Sequence, residues 1–289
     1  MKCPFPLVLS LFVGVALAST GALAQRAPDT LAKIKAAKSI TVAFSGDSLP
    51  FSYVESDNQA AGYSIDLCKR VIASIGRTLG LQDVKINWIV DTVPNRIAMI
   101  ASGKADIECA NTTASQARMK DVDFSNLIFV DGGGFLVRAD APINGISDLA
   151  GKSVAVTAGT TTEKRLNDML KARLVNAKVV QVKDGVEGVA MLESKAVDAF
   201  ASDKIKLVGL AAQAKNPNSF ALLAEDLSFE PLAFMVPRND SAFRFEVNKA
   251  LTQVYVSGEI DSIFAKWLGK LGRPSGLLAA MYLLNAIPE

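Results

Sequence analysis

Ala98-Met-Ile-Ala-Ser-Gly-Lys-Ala-Asp106 and Ala190-Met-Leu-Glu-Ser-Lys-Ala-Val-Asp198 line up without a gap, sharing Ala, Met, Ser and Asp at the same places. Each reads as a helix end, a turn, an aspartate and a strand that runs into a polar loop. If the repeat is real, the chain is two similar α/β lobes. Four identities also arise by chance, and both readings stand open here. In open α/β sheets ligands bind beyond the carboxyl ends of the strands, so two such lobes would face each other across a cleft.

The first copy continues into Ala105-Asp-Ile-Glu-Cys-Ala-Asn-Thr-Thr-Ala-Ser-Gln-Ala-Arg118. Ile107 and Cys109 mark a short buried strand, Asn111 to Ser115 a hydroxyl- and amide-rich loop, and Arg118 stands just inside the next helical turn. Helix starts attract anions, and a guanidinium grips a carboxylate through two parallel hydrogen bonds. Thr113 and Arg118 are thus a candidate carboxylate clamp. Taken alone, the stretch reads more readily as an ordinary loop with a solvated arginine. The second copy leads through a strand over 197–202 to Asp203, a candidate partner for a cation.

Composition narrows the chemistry. Half of the 289 residues are apolar and about a fifth charged, enough for a sizeable core. The formal charge is +2, without the clustered Lys and Arg that nucleic acid requires. Histidine is absent, which removes Ser-His-Asp and Cys-His catalysis and the commonest transition-metal ligand. Lys2, an apolar stretch from Phe5 to Ala18 and Ala22-Leu-Ala24 read as a signal peptide over residues 1–24, cleaved to start the mature chain near Gln25. Cys68 and Cys109 either pair in an oxidising compartment or stand as two small buried apolar residues. Sequence supplies no disulfide geometry, and the second reading is preferred; neither number nor spacing suits a metal.

Periodicity predicts a first helix over 29–37, capped by Asp29, strands over 39–44 and 85–90, and helices over 65–80 and 94–101. Phe129 to Val137, with Gly132-Gly-Gly134 as a hinge, and Pro231 to Val236 read as segments crossing between the lobes. Ser153 to Thr157 is a strand. Thr160-Thr-Thr-Glu163 has the capping-box form, with Thr160 capping the next helix and its other N–H groups facing solvent or ligand. Leu277 to Leu284 is an apolar tail too short to span a membrane. In the cleft, Arg118 would take a carboxylate and Asp203 an ammonium. Thr157, Thr160 and the N–H groups after Gly159 would add hydrogen bonds, and Phe51 and Tyr53 would flank the apolar part of a small ligand. Opposite charges a few ångströms apart suit a zwitterion, of which an α-amino acid is the obvious case.

Taken in order, four groups of residues carry a resemblance. They are Leu49-Pro-Phe-Ser-Tyr53 with Gly62-Tyr-Ser64; Pro94-Asn-Arg96 with Cys109-Ala-Asn-Thr-Thr113 and Arg118; Thr157-Ala-Gly-Thr-Thr161; and Leu192-Glu-Ser194 through Asp203. From about Ser39 to Trp267 the chain resembles the periplasmic solute-binding proteins of polar amino-acid ABC transporters (bacterial extracellular solute-binding protein family 3), nearest the glutamate/aspartate-binding branch. The resemblance implies a two-lobed type II periplasmic binding protein fold, hinged by two crossing strands, with the ligand in the inter-lobe cleft. Lobe 1 would comprise 25–131 plus 231–273, lobe 2 132–230, and 274–289 a C-terminal tail. It implies a monomer with no cofactor that passes an L-amino acid to an inner-membrane permease. Arg118, Thr113 and Thr160 would bind the α-carboxylate and Asp203 the α-ammonium. Arg96 would face the ligand side chain, with Asn111 and Thr157 as further contacts.

Two departures matter. The acidic-ligand branch carries an arginine where this chain has Ser45 and a histidine near Gly185, and Asp47 adds a negative charge nearby. Glutamate or aspartate leads, with an amide or small polar amino acid credible. The alternative is a periplasmic lyase of the same fold acting on a small carboxylate, in the manner of cyclohexadienyl dehydratase, with Glu108, Glu163 or Asp203 as acid or base.

Overall fold

Asp29 accepts a hydrogen bond from the Ala32 amide (2.9 Å) and starts helix α1 (Thr30–Ala37), the cap its sequence predicts. The structure, a computed structural model, describes Met1 and residues 29–287. The signal peptide expected over residues 1–24 lies, but for Met1, outside them.

The first lobe runs β1 (Ser39–Ser45), β2 (Asp47–Ser48), β3 (Ser52–Val54), β4 (Ala60–Ala61), α2 (Tyr63–Thr78), β5 (Lys85–Asp91), α3 (Arg96–Ala101) and β6 (Ile107–Glu108). Strand β7 (Val122–Arg138) leads out of it. The second lobe follows with β8 (Ser153–Thr157), α4 (Thr161–Ala172), β9 (Lys178–Val182), α5 (Gly185–Glu193), β10 (Ala199–Asp203), α6 (Lys204–Ala212) and β11 (Phe220–Leu222). Strand β12 (Ser228–Pro237) returns, and α7 (Ser241–Val256), α8 (Glu259–Leu268) and α9 (Gly276–Asn285) close the first lobe. Helix α3 begins at Arg96, two residues later than the sequence suggests.

One sheet carries both lobes, in the order β5-β1-β6-β12-β7-β10-β8-β9, with β11 beside β7. The order reads nearly the same from either end. Strand β1 lies parallel between β5 and β6, as β8 lies parallel between β9 and β10. At the centre β12 and β7 pair antiparallel from Ser228–Gly133 to Pro237–Val122. Each half is a βαβαβ unit with its sheet buried on both faces. Ile40, Val42, Phe234 and Phe243 pack on one face of the first lobe, Ala43, Met99 and Met235 on the other. Phe135, Val154 and Leu166 do the same on one face of the second, Leu136, Phe200 and Leu207 on the other.

The repeat is structural. Asp106 N–H donates to the Thr41 carbonyl (2.8 Å), and its carboxylate accepts the Thr41 N–H (2.8 Å). Asp198 makes the same two bonds with Ser153, at 2.9 and 2.8 Å. Gly103 and Lys195, matched in the alignment, both take positive φ, 72° and 62°. In each lobe the aspartate ties its strand to the start of the central one.

One expectation changes and two gain detail. Cys68 on α2 and Cys109 just past β6 are joined by a disulfide with Cα atoms 6.1 Å apart, within the normal span of such bonds, so the preferred reading of two unpaired cysteines is overturned. The central glycines of the crossing strand, expected as a hinge, also answer to close approach. Side chains at Gly133 and Gly134 would come within 2.3 Å of Ser228 Oγ and 2.7 Å of Lys204 Cγ. The apolar tail includes a helix, α9, that buries Leu278, Met281 and Tyr282 in the first lobe's core.

Candidate functional site

All six parallel strands deliver their carboxyl ends to one cavity of about 470 Å³ between the lobes. The first lobe contributes Ser45 from β1, Asp91 from β5 and Asn111 and Thr113 beyond β6. The second contributes Thr157 from β8, Lys183 and Asp184 beyond β9, and Asp203 from β10. Arg96 opens α3 on one side, and the Thr160–Thr162 turn opens α4 on the other. Seven expected site residues therefore line a single chamber: Ser45, Arg96, Asn111, Thr113, Thr157, Thr160 and Asp203.

Several of these groups are poised for something other than protein. Arg96 is buried, its Nε has no hydrogen-bond partner, and it makes no ion pair among the described residues. The buried Thr157 Oγ1 and Asp91 Oδ2 are likewise unpartnered. Such groups are costly in a closed interior, so a polar or charged ligand would offset that cost. Asp203 opens α6 without capping it, which leaves its carboxylate to accept a hydrogen bond from Asn111 Nδ2 across the cleft (2.8 Å). Burial, then the Glu230 charge, push Asp203 up to about 6. Burial and Glu108 push Asp91 up to about 8, which keeps it protonated at neutral pH.

Other expected residues are occupied. Thr160 caps α4 as its sequence predicts, accepting from Glu163 N–H (3.0 Å) and donating to the Thr157 carbonyl (2.7 Å). Its hydroxyl is spent, and only the N–H groups of that turn remain to meet an anion. Thr113 Oγ1 donates to Glu230 (2.6 Å), which also accepts from Thr161 Oγ1 (3.0 Å). Arg118 lies outside the lining. Its guanidinium is buried and donates to the Thr113 carbonyl (2.8 Å), so it holds the loop from behind. Burial and the Arg96 charge lower it to about 10.

Phe51 is misplaced by the sequence reading. It is fully buried, edge-on to Phe129 and Tyr63 with centroids 5.0 and 6.1 Å away, in the core and off the cavity wall. Tyr53 packs edge-on against Trp267. Aromatics beside a Pro read as exposed, but here the turn folds inward. Sequence reasoning also missed Lys206, Asp91 and Glu230. Lys206 has a signal in hindsight: it follows the strand-end Asp203 by three residues, about one helical turn.

The model of the bacterial extracellular solute-binding proteins, family 3, matches residues 40–270. An L-glutamate/L-aspartate-binding protein of Pseudomonas aeruginosa is 37% identical over 273 residues, 94% of this chain and 90% of its own length. A glutamate/aspartate import solute-binding protein of Escherichia coli is 32% identical, covering 92% of this chain and 88% of its own. Among solved structures, an ancestral amino acid-binding protein that is a precursor of cyclohexadienyl dehydratase superposes with a TM-score of 0.70. It is 28% identical over 83% of this chain and 99% of its own. Strand order, a chamber at six strand ends and these matches agree, and the chain belongs to the bacterial extracellular solute-binding proteins of family 3.

Proposed function

We propose that this chain is the solute-binding component of an ABC importer, which captures a polar or acidic L-amino acid in the inter-lobe cavity and delivers it to a membrane permease. Glutamate and aspartate lead, in keeping with the relatives 37% and 32% identical. One observation carries the reading. One inter-lobe cavity holds an unpartnered guanidinium, Arg96, and a carboxylate, Asp203, in the same 470 Å³, a pairing complementary to a zwitterion. Asp203 with Asn111 takes the α-ammonium. The α4 N-terminus with Thr157 takes the α-carboxylate, the Thr113 loop braced by Arg118 standing beside it, and Arg96 and Ser45 face the side chain. The lobes divide as 25–131 with 231–273, to which the tail adds α9, and 132–230. The protein acts in the periplasm as a monomer, after cleavage of its leader, and performs no chemistry on its ligand.

A thermal-shift screen of the twenty amino acids tests this, because a ligand that binds only the folded state raises Tm. A rise with glutamate or aspartate is expected; silence with all twenty overturns it. The protonated Asp91 gives the lyase alternative a general acid in the cavity. Incubation with prephenate-like acids decides between the two: recovered unchanged, they leave the transport reading standing.

A further inference from the structure

The end of the cavity around Ser45 is built on Lys206. This residue is the third of α6, and its side chain is only 9% exposed. Gly185, at the start of α5, makes the room, since a Cβ there would come 2.9 Å from Lys206 Cε and 2.5 Å from Leu210 Cδ1. Lys206 Nζ donates to Asp47 Oδ2 (3.1 Å) and Ser48 Oγ (3.1 Å), both on the first lobe. An ammonium carries three N–H groups, so one remains for the cavity that Lys206 lines. Asp47 does not depend on the lysine alone: it also accepts from Gly185 N–H (2.9 Å) and Ser45 Oγ (3.0 Å).

The charges at this end do not cancel. Arg96 from the first lobe and Lys206 from the second are two cations lining the same cavity. Against them stands Asp47. Burial pushes its carboxyl up, but the Lys206 charge and the Gly185 N–H outweigh this and hold it below the usual carboxylate range. Burial and Glu108 push Asp91 towards its neutral form, and Lys183 and Asp184 stand as a pair 3.8 Å apart. With Asp203 given over to the ligand's ammonium, one positive charge is left at this end, enough to match one carboxylate.

We propose that Lys206 is a specificity-determining residue of this site: together with Arg96 it reads a negatively charged ligand side chain, the distal carboxylate of an acidic amino acid, while Asp47 positions it. The proposal rests on the amino-acid reading of the cavity. Titration calorimetry of the wild-type protein, Lys206→Met and Asp47→Asn, each with L-glutamate and L-glutamine, reads the ratio of the two affinities. Lys206→Met is expected to lower the glutamate-to-glutamine ratio by about tenfold or more. Asp47→Asn, which leaves Lys206 uncompensated, is expected to raise it by about threefold or more. If both variants weaken both ligands by one common factor, Lys206 only holds the lobes together and the proposal is overturned; ratios that move in the same direction overturn it too. Wild-type protein that prefers a neutral or basic amino acid sinks the role of Lys206 and leaves the amino-acid reading intact, whereas wild-type protein that binds none of the twenty sinks both.

Discussion

Asp203 and Asp91 face the same cavity with different proton affinities, about 6 and about 8. A carboxyl whose folded value is raised binds its proton more tightly in the native state than in the unfolded one. Its contribution to stability is therefore present at low pH and lost as pH rises through the folded value. For Asp91 that loss accumulates from about pH 4, where the unfolded carboxyl ionises, up to about pH 8, so ligand-free Tm is expected to fall between pH 5 and 8 and to level off above, and Asp91→Asn to flatten the fall. Binding runs the opposite way at Asp203. Its ionised form is what pairs with an ammonium, so affinity is expected to fall below pH 6 by up to about tenfold per unit, measured by calorimetry from pH 7.5 to 5. Constant affinity across that range would remove Asp203 from the ammonium site. Sequence made Asp203, Asn111, Thr157 and Arg96 legible because strand ends and helix starts advertise their polar groups. Phe51 misled because packing turns it into the core, and Arg118 lies behind Thr113, whose carbonyl it holds.

The paired helix–turn–aspartate–strand units show where element-level reading succeeds. Four identities were ambiguous as letters, yet Asp106 and Asp198 make the same two backbone bonds, and a carboxylate that must meet an N–H leaves little choice of residue. Their surroundings differ: the Asp106 side chain is 4% exposed and that of Asp198 31%. Asp106→Ala is expected to cost about 2–3 kcal/mol, and Asp198→Ala about 1 kcal/mol, since buried charged hydrogen bonds are worth more than half-exposed ones. Urea unfolding checks this, and equal losses would contradict it. The disulfide from α2 to Cys109 was not legible, because two residues 41 apart in sequence declare nothing about their distance.

At the scale of the whole molecule the lobes touch across the cavity. Asn111 bonds Asp203, Asp47 bonds Gly185 and Lys206, and Thr113 approaches Thr161 at 3.4 Å. These polar bonds, with small apolar contacts such as Gly209 against Leu49 and Ile205 against the first lobe's core, hold the lobes without a large shared core, so closure is balanced rather than locked. Asn111→Ala combined with Asp47→Ala is expected to raise the radius of gyration of the ligand-free protein in X-ray scattering, and a saturating amino acid to bring it back down. An unchanged radius in both states would count against closing lobes. The crossing of β7 and β12 has one more consequence, for the moment of synthesis. The second lobe's core draws on residues 135–223 without interruption, whereas the first needs Ile34 together with Phe234, Phe243 and Tyr282. A chain emerging amino end first completes the second core while the first still lacks its closing residues, and β6 and β7 wait with open edges for β12. A holding factor that meets the chain as it emerges would therefore meet the first lobe, the part made earliest and finished last.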